Sequence, residues 1–276
     1  MGQNYQVGQQ HLITTESGCE NAKILELEKY DDGKQQGTLA KCRLDIYGIA
    51  NLYVPDGVVT DSQLLARQSM SGMPEQYVYK TGKDFNWSYY ESSTEYAKKI
   101  PNAFVCKFSE YRKSGRGLYI FSKTKGSGKT MLACCIANEI AKRQDISVKF
   151  VNIPDYIELV KDKSETAKEC VEKIREAGVL ILDDVGTQVE NKDWITTALF
   201  RLIDHRYTRH LPTIFTSNIP MEELKTDDRI ADRIYEVSTP IMMPEENIRR
   251  KLADKHKKNF LQSVLNEEPE ENIFAV

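Results

Sequence analysis

Apolar and polar positions alternate twice in the first fifty residues, over Lys23 to Lys29 (KILELEK) and over Lys41 to Tyr47 (KCRLDIY). A period of two marks strands with one buried face, and Asp31-Asp32-Gly33 between them has the chemistry of a tight turn. The pattern predicts a β-hairpin within a small, partly β N-terminal module. From Leu64 onward the chain turns polar around Met73-Pro74, and aromatics then gather in Asp84-Phe85-Asn86-Trp87-Ser88-Tyr89-Tyr90. A domain boundary is expected there: an N-terminal partner-binding module and linker at 1–83, a main domain at 84–262, and a Glu-rich, solvated tail at 263–276.

In the main domain, short apolar runs alternate with longer amphipathic ones. Strands are predicted at Gly117 to Phe121, Ser147 to Asn152, Val179 to Leu182 and Thr213 to Thr216. Helical patterns fill Lys129 to Arg143, Pro154 to Ala177 and Lys192 to Arg209. Strands that are apolar throughout must be covered on both faces, so this order predicts an α/β domain with a parallel sheet between helices.

Composition narrows the class. Lys and Arg number 38 against 41 Asp and Glu, so bulk charge does not recommend a nucleic-acid partner and any DNA contact would be a local patch. No apolar run approaches the roughly 20 residues of a membrane span, and the first ten residues are too polar for a signal peptide, so a cytoplasmic protein is expected. The six cysteines, Cys19, Cys42, Cys106, Cys134, Cys135 and Cys170, include no C-x-x-C pair and read as reduced, mostly core thiols. A metal site at His11, Cys19 and Cys42 is the weaker alternative.

The chemistry is concentrated in Ser122-Lys123-Thr124-Lys125-Gly126-Ser127-Gly128-Lys129-Thr130, between a predicted strand and a predicted helix. This is the context of a phosphate-binding loop. Gly126 and Gly128 let backbone N–H groups turn inward around phosphate oxygens, Lys129 reaches the β and γ phosphates of ATP, Thr130 holds Mg²⁺, and the run Lys123 to Met131 as a whole is expected to bind the nucleotide. Lys123 departs from the motif, which has its first glycine there. The strand Val179-Leu180-Ile181-Leu182 ends in Asp183 and Asp184, the first suited to complete the magnesium shell and the second to orient or deprotonate the attacking water. Thr213 to Asn218 (TIFTSN) ends in an amide, Asn218, suited to hold that water. Arg229 and Arg233 share a helix face four residues apart, where they either pair with Asp228 and Asp232 as surface salt bridges or serve the site.

This order of motifs resembles the AAA+ ATPases, and more narrowly the DnaC/DnaI-type replicative helicase loaders and their IstB-like relatives, over roughly Tyr96 to Phe260. Gly115-Arg116-Gly117-Leu118-Tyr119-Ile120 and Leu180-Ile181-Leu182-Asp183-Asp184-Val185-Gly186 carry the resemblance most clearly. It implies an ATPase in which Asn218 is the sensor 1 residue, Arg233 (or Arg229) an arginine finger acting on a neighbouring subunit's ATP, and Arg249 (or Arg250) the sensor 2 arginine. The alternative for the Arg249 run is a solvated basic helix face. The short stretch after Met243 leaves room for a lid of about one helix. The resemblance further implies self-association through the ATP site, a hexameric replicative helicase as partner, and single-stranded DNA, for which Lys161, Lys163 and Lys168 are candidate contacts. A transposition helper is the rival within the fold, and a P-loop small-molecule kinase the rival outside it.

Overall fold

The computed structural model describes residues 7–8, 10–15, 18–31, 36–44, 48–55, 64, 67–186, 193–224 and 226–266. In the N-terminal module four antiparallel strands, β1 (Gln10–Thr15), β2 (Gly18–Asp31), β3 (Gln36–Leu44) and β4 (Gly48–Pro55), form a sheet in sequence order. The expected hairpin is β2–β3, in register with Ile24 opposite Cys42 and Leu27 opposite Ala40. A bulge between Ile24 and Glu26 lets both Ile24 and Leu27 turn inward, against Ala22, Ala40, Cys42 and Leu44. Asp32 and Gly33 of the expected turn lie outside the described residues, as do the side chains of His11 and Cys19. Among the described residues no cluster of metal-ligating side chains occurs, and Cys42, Cys134 and Cys135 are buried thiols.

The main domain is a five-stranded parallel sheet, ordered β6-β7-β8-β5-β9. Its strands are β5 (Gly117–Phe121), β6 (Val148–Asn152), β7 (Val179–Val185), β8 (Thr213–Ser217) and β9 (Ser238–Met242). The helices are α1 (Glu95–Cys106), α2 (Phe108–Lys113), α3 (Lys129–Arg143), α4 (Ile153–Lys161), α5 (Glu165–Arg175), α6 (Asp193–Thr208), α7 (Asp228–Val237) and α8 (Ile248–Asn266).

Side chains of each strand go to opposite faces, and both faces are covered. Leu118, Ile120, Ile181 and Ile214 meet Leu132, Ile136 and Ile140 of α3 on one face. Tyr119, Leu180, Leu182 and Phe215 meet Ile157, Ile195, Leu202 and Ile234 on the other. β5 and β8 run so close that a Cβ on Gly117 would lie 1.9 Å from the Thr213 carbonyl oxygen. Placing β8 between β5 and β7 gathers the C-terminal ends of three strands at one edge, where open α/β sheets bind ligands.

Three boundaries differ from expectation. The helical stretch predicted over Pro154 to Ala177 is two helices, because Ser164 caps α5, accepting the Ala167 N–H at 3.2 Å. Residues 263–266, expected in the tail, continue α8. Met73 and Val78, before the boundary expected at 84, fill the same core as Phe85, Tyr90 and α3, and Phe150 N–H of edge strand β6 donates to the Ser71 carbonyl at 2.8 Å. A polar stretch with a few isolated apolar residues reads as linker, yet Met73 and Val78 fill places in the core while Met70 and Tyr79 stay exposed.

Arg206 of α6 is fully buried, and among the described residues it forms no salt bridge. It donates to the carbonyls of Arg175 (3.0 Å), Ala177 (2.9 Å) and Pro212 (2.8 Å) and to Thr213 Oγ1 (2.9 Å), tying the end of α5 to the start of β8. Burial pulls its pKa down to about 9.

Candidate nucleotide site

The loop 122–128 leaves β5 and opens into α3, with Gly126 at φ 75° and Gly128 at φ 92°. These angles are costly for any residue with a Cβ. There is also no room for one. A Cβ on Gly126 would lie 2.6 Å from Asn247 Oδ1, and one on Gly128 would lie 2.6 Å from the Tyr90 hydroxyl. That hydroxyl donates to the Ser127 carbonyl at 2.6 Å, so the aromatic cluster of Phe85, Trp87 and Tyr90 supports the loop from behind.

Lys129, the first residue of α3, is buried and donates to the carbonyls of Ser122 (3.3 Å) and Thr124 (3.1 Å) and to Ser127 Oγ (3.3 Å). Burial lowers its pKa, while the charges of Asp184, Glu245 and Asp183 act to keep it protonated. Lys125 is exposed and Met131 packs half-buried against the core. Lys123, where the motif would have glycine, is not among the residues with positive φ, so it does not use the freedom a glycine supplies. Its N–H and that of Thr124 donate to the two carboxylate oxygens of Glu245, at 2.8 and 2.7 Å, and its ammonium pairs with Glu223 at 2.9 Å.

Across the edge, Thr130 Oγ1 donates to Asp183 Oδ1 at 2.9 Å, and Thr216 Oγ1 donates to the same oxygen at 2.5 Å. Asp183 is buried, which raises its pKa, and the adjacent Asp184 adds to the rise; the two threonine hydroxyls oppose it. Asp184 has φ 59° where the β7–β8 register shifts, and its N–H donates to Thr216 Oγ1 at 3.0 Å. Thr216 therefore sets the positions of both acids. A hydroxyl and a carboxylate facing each other across two elements make an oxygen donor set that fits magnesium. Asn218 follows β8 at the same edge, half-buried.

The arginines are placed differently from their expected salt bridges. Arg229 pairs with Asp227 (2.9 Å) and Arg233 with Asp204 of α6 (2.7 Å), not with Asp228 and Asp232. Asp227 is the N-cap of α7, and Asp204 comes from the packed neighbour α6, so both arginines find their carboxylates outside the helix that carries them. Arg249 opens α8 beside the loop: its N–H donates to the Gly126 carbonyl at 3.0 Å, and its charge acts on Lys129. Arg250 is exposed, its N–H donating to Asn247 Oδ1. Lys161, Lys163 and Lys168 are exposed around α4 and α5, Lys168 pairing with Glu165.

Three residues of the site escaped the sequence reading. Thr216 carried a signal only in being a hydroxyl near the end of a strand that leads to Asn218. Tyr90 and Glu245 carried none, because nothing in local pattern links them to a loop far away in the chain.

A family model described as IstB-like ATP binding protein matches residues 66–252. The replicative helicase loader DnaI of Bacillus subtilis (strain 168) is 30% identical over 163 residues, 53% of this chain and 51% of that protein. The replicative helicase loader DnaC of Escherichia coli (strain K12) is 30% identical over 122 residues, 42% of this chain and 49% of that protein. The chain thus spans about half the length of these curated relatives. A crystal structure of DnaI, 28% identical, superposes with a TM-score of 0.55 over 66% of this chain and 98% of that one.

Proposed function

The chain belongs to the IstB-like ATP binding proteins, and from that premise we propose that it is an ATP-hydrolysing helicase loader. It binds a hexameric replicative helicase and helps place it on single-stranded DNA, with the ATP state switching grip and release. The fold is a P-loop AAA+ domain, with α8 following its last strand. None of the described helices is long and apolar enough to cross a membrane.

The observation that carries the ATPase reading is the Thr130–Asp183–Thr216 hydroxyl–carboxylate chain facing Lys129 across the strand ends. Magnesium held by Thr130 and Asp183 would supply positive charge against the phosphate oxygens. The N–H groups of 126–130 and the start of α3 cradle the phosphates, and the Lys129 ammonium leaves its loop carbonyls for the β and γ oxygens. Asp184 orients the attacking water and accepts its proton, with Asn218 beside it. Arg249 meets the phosphates from α8, and Arg233 meets the ATP of a neighbouring copy, which makes self-association part of the cycle.

The helicase reading is supported by the similarity to DnaI over about half of each chain. It is tested by affinity purification from the native cell together with phosphate release from ATP. Recovery of a replicative helicase, with release of free phosphate that rises on adding it, is the expected result. Recovery of a transposase would replace the loader by a transposition helper, and phosphate transfer requiring an added acceptor would replace it by a kinase.

A further inference from the structure

The connection from β9 to α8 follows the phosphate loop step by step. Met243 N–H donates to the Phe121 carbonyl at 2.8 Å, Glu245 takes the N–H groups of Lys123 and Thr124, and Arg249 N–H donates to the Gly126 carbonyl. Within this run Glu245 occupies a special place. The Lys123 N–H that it holds belongs to the same peptide unit as the Ser122 carbonyl, and that carbonyl accepts from the Lys129 ammonium at 3.3 Å. A trans peptide is planar, with its N–H and C=O pointing in opposite directions. A carboxylate gripping one side therefore aims the other.

We propose that Glu245 is a positioning residue of the triphosphate site: it orients the Ser122–Lys123 peptide, and through it Lys129, and couples the loop to the helix that carries Arg249. The inference rests on the nucleotide reading of loop 122–130. It also explains how Lys123 serves where the motif has glycine. The loop's first limb needs no left-handed residue because a carboxylate from another element holds its two amides, and charge-assisted bonds of this kind are stronger than neutral ones. The geometry makes α8 responsive to the loop. Any shift of 123–124 on binding phosphate is passed to Glu245 and so to Arg249, four residues on.

The test is the affinity of the full chain for ATP with Mg²⁺, by calorimetry, with melting temperatures measured in parallel. Glu245→Ala is expected to weaken binding about tenfold. Glu245→Gln, whose amide oxygen still accepts one N–H, is expected to recover part of that loss. Asn138→Ala serves as the stability control. Asn138 holds the carbonyls of Tyr77 and Lys80 away from the loop, so its loss should lower the melting temperature and leave affinity within about twofold. Binding by Glu245→Ala within twofold of the unaltered chain would overturn the inference. So would an equal affinity loss in Asn138→Ala at matched melting temperature. Absence of binding by the unaltered chain would instead bring down the nucleotide reading, and the inference with it.

Discussion

Asp204 of α6 holds Arg233 of α7 within one subunit, its Oδ1 lying 2.7 Å from both Nε and Nη2. The guanidinium carbon sits 4.7 Å from the ring centre of Phe200 and 5.5 Å from that of Tyr207. The arginine proposed to act on a neighbour's ATP is thus held by one carboxylate between two aromatic rings. Both partners are about a third exposed, at 27% and 34%, so the pair stabilises the fold by no more than about 1 kcal/mol. Arg233→Ala is expected to lower the melting temperature by only a few degrees, about 2–4 °C per kcal/mol for a domain of this size. Phosphate release should fall roughly a thousandfold. Unchanged release in Arg233→Ala would move the role to Arg229.

Asp184 should be needed for hydrolysis and not for binding. Its φ of 59° suits Asn nearly as well as Asp, so Asp184→Asn should fold and should bind ATP with Mg²⁺ close to normally. Losing the carboxylate that accepts the water's proton should slow hydrolysis by about a hundredfold or more. Single-turnover phosphate release checks this, and full activity would remove Asp184 from the chemistry.

Thr216→Val keeps the shape of the side chain and deletes its hydroxyl. The Asp183 carboxylate loses its buried 2.5 Å donor and the Asp184 N–H its part-buried acceptor. A destabilisation of about 1–3 kcal/mol is expected by chemical denaturation, with a weaker response of ATP binding to magnesium. Equal stability and equal magnesium dependence would show that Thr216 holds neither acid.

Gly117→Ala and Gly128→Ala should fail in different ways. At Gly117 the new Cβ would collide with the backbone of β8, so loss of cooperative folding is expected, read by circular dichroism. At Gly128 the obstacles are a left-handed φ and the Tyr90 hydroxyl, at the mouth of the loop. There the chain should fold with a lowered melting temperature and lose ATP binding. A Gly128→Ala protein that binds normally would remove the requirement for glycine in the cradle.

Acid stability should report on Glu246. The Lys251 ammonium, then the N–H groups of Ser92 and Glu91, hold its pKa down to about 2, against an ordinary 4.5. A depressed carboxylate contributes stability that is present above the ordinary value and is lost as pH falls through the window from 4.5 to about 2. Glu246→Gln should therefore melt lower than the unaltered chain at neutral pH, and the difference should shrink across that window. A constant difference at all pH values would exclude this linkage.

Local pattern was enough for a large part of this protein. The strands β5 to β8, the helical stretches between them, the glycine loop before α3 and the acid pair at the end of β7 are each written in a few consecutive residues, because periodicity, glycine freedom and a strand-to-helix turn are short-range physics. β9 gave no such signal, since Ser238 to Met242 (STPIM) mixes polar with apolar residues and carries Pro240. The partnerships were not legible: Glu245 on the amides of Lys123 and Thr124, Tyr90 under Ser127, Asp204 on Arg233, and the residues before 84 packed into the core. Each joins groups far apart along the chain, and charge or polarity by itself does not tell an acid which of many donors it will meet. Closing those distances is the work of the packed sheet and its helices, which bring three strand ends to one edge and lay the start of α8 against the loop.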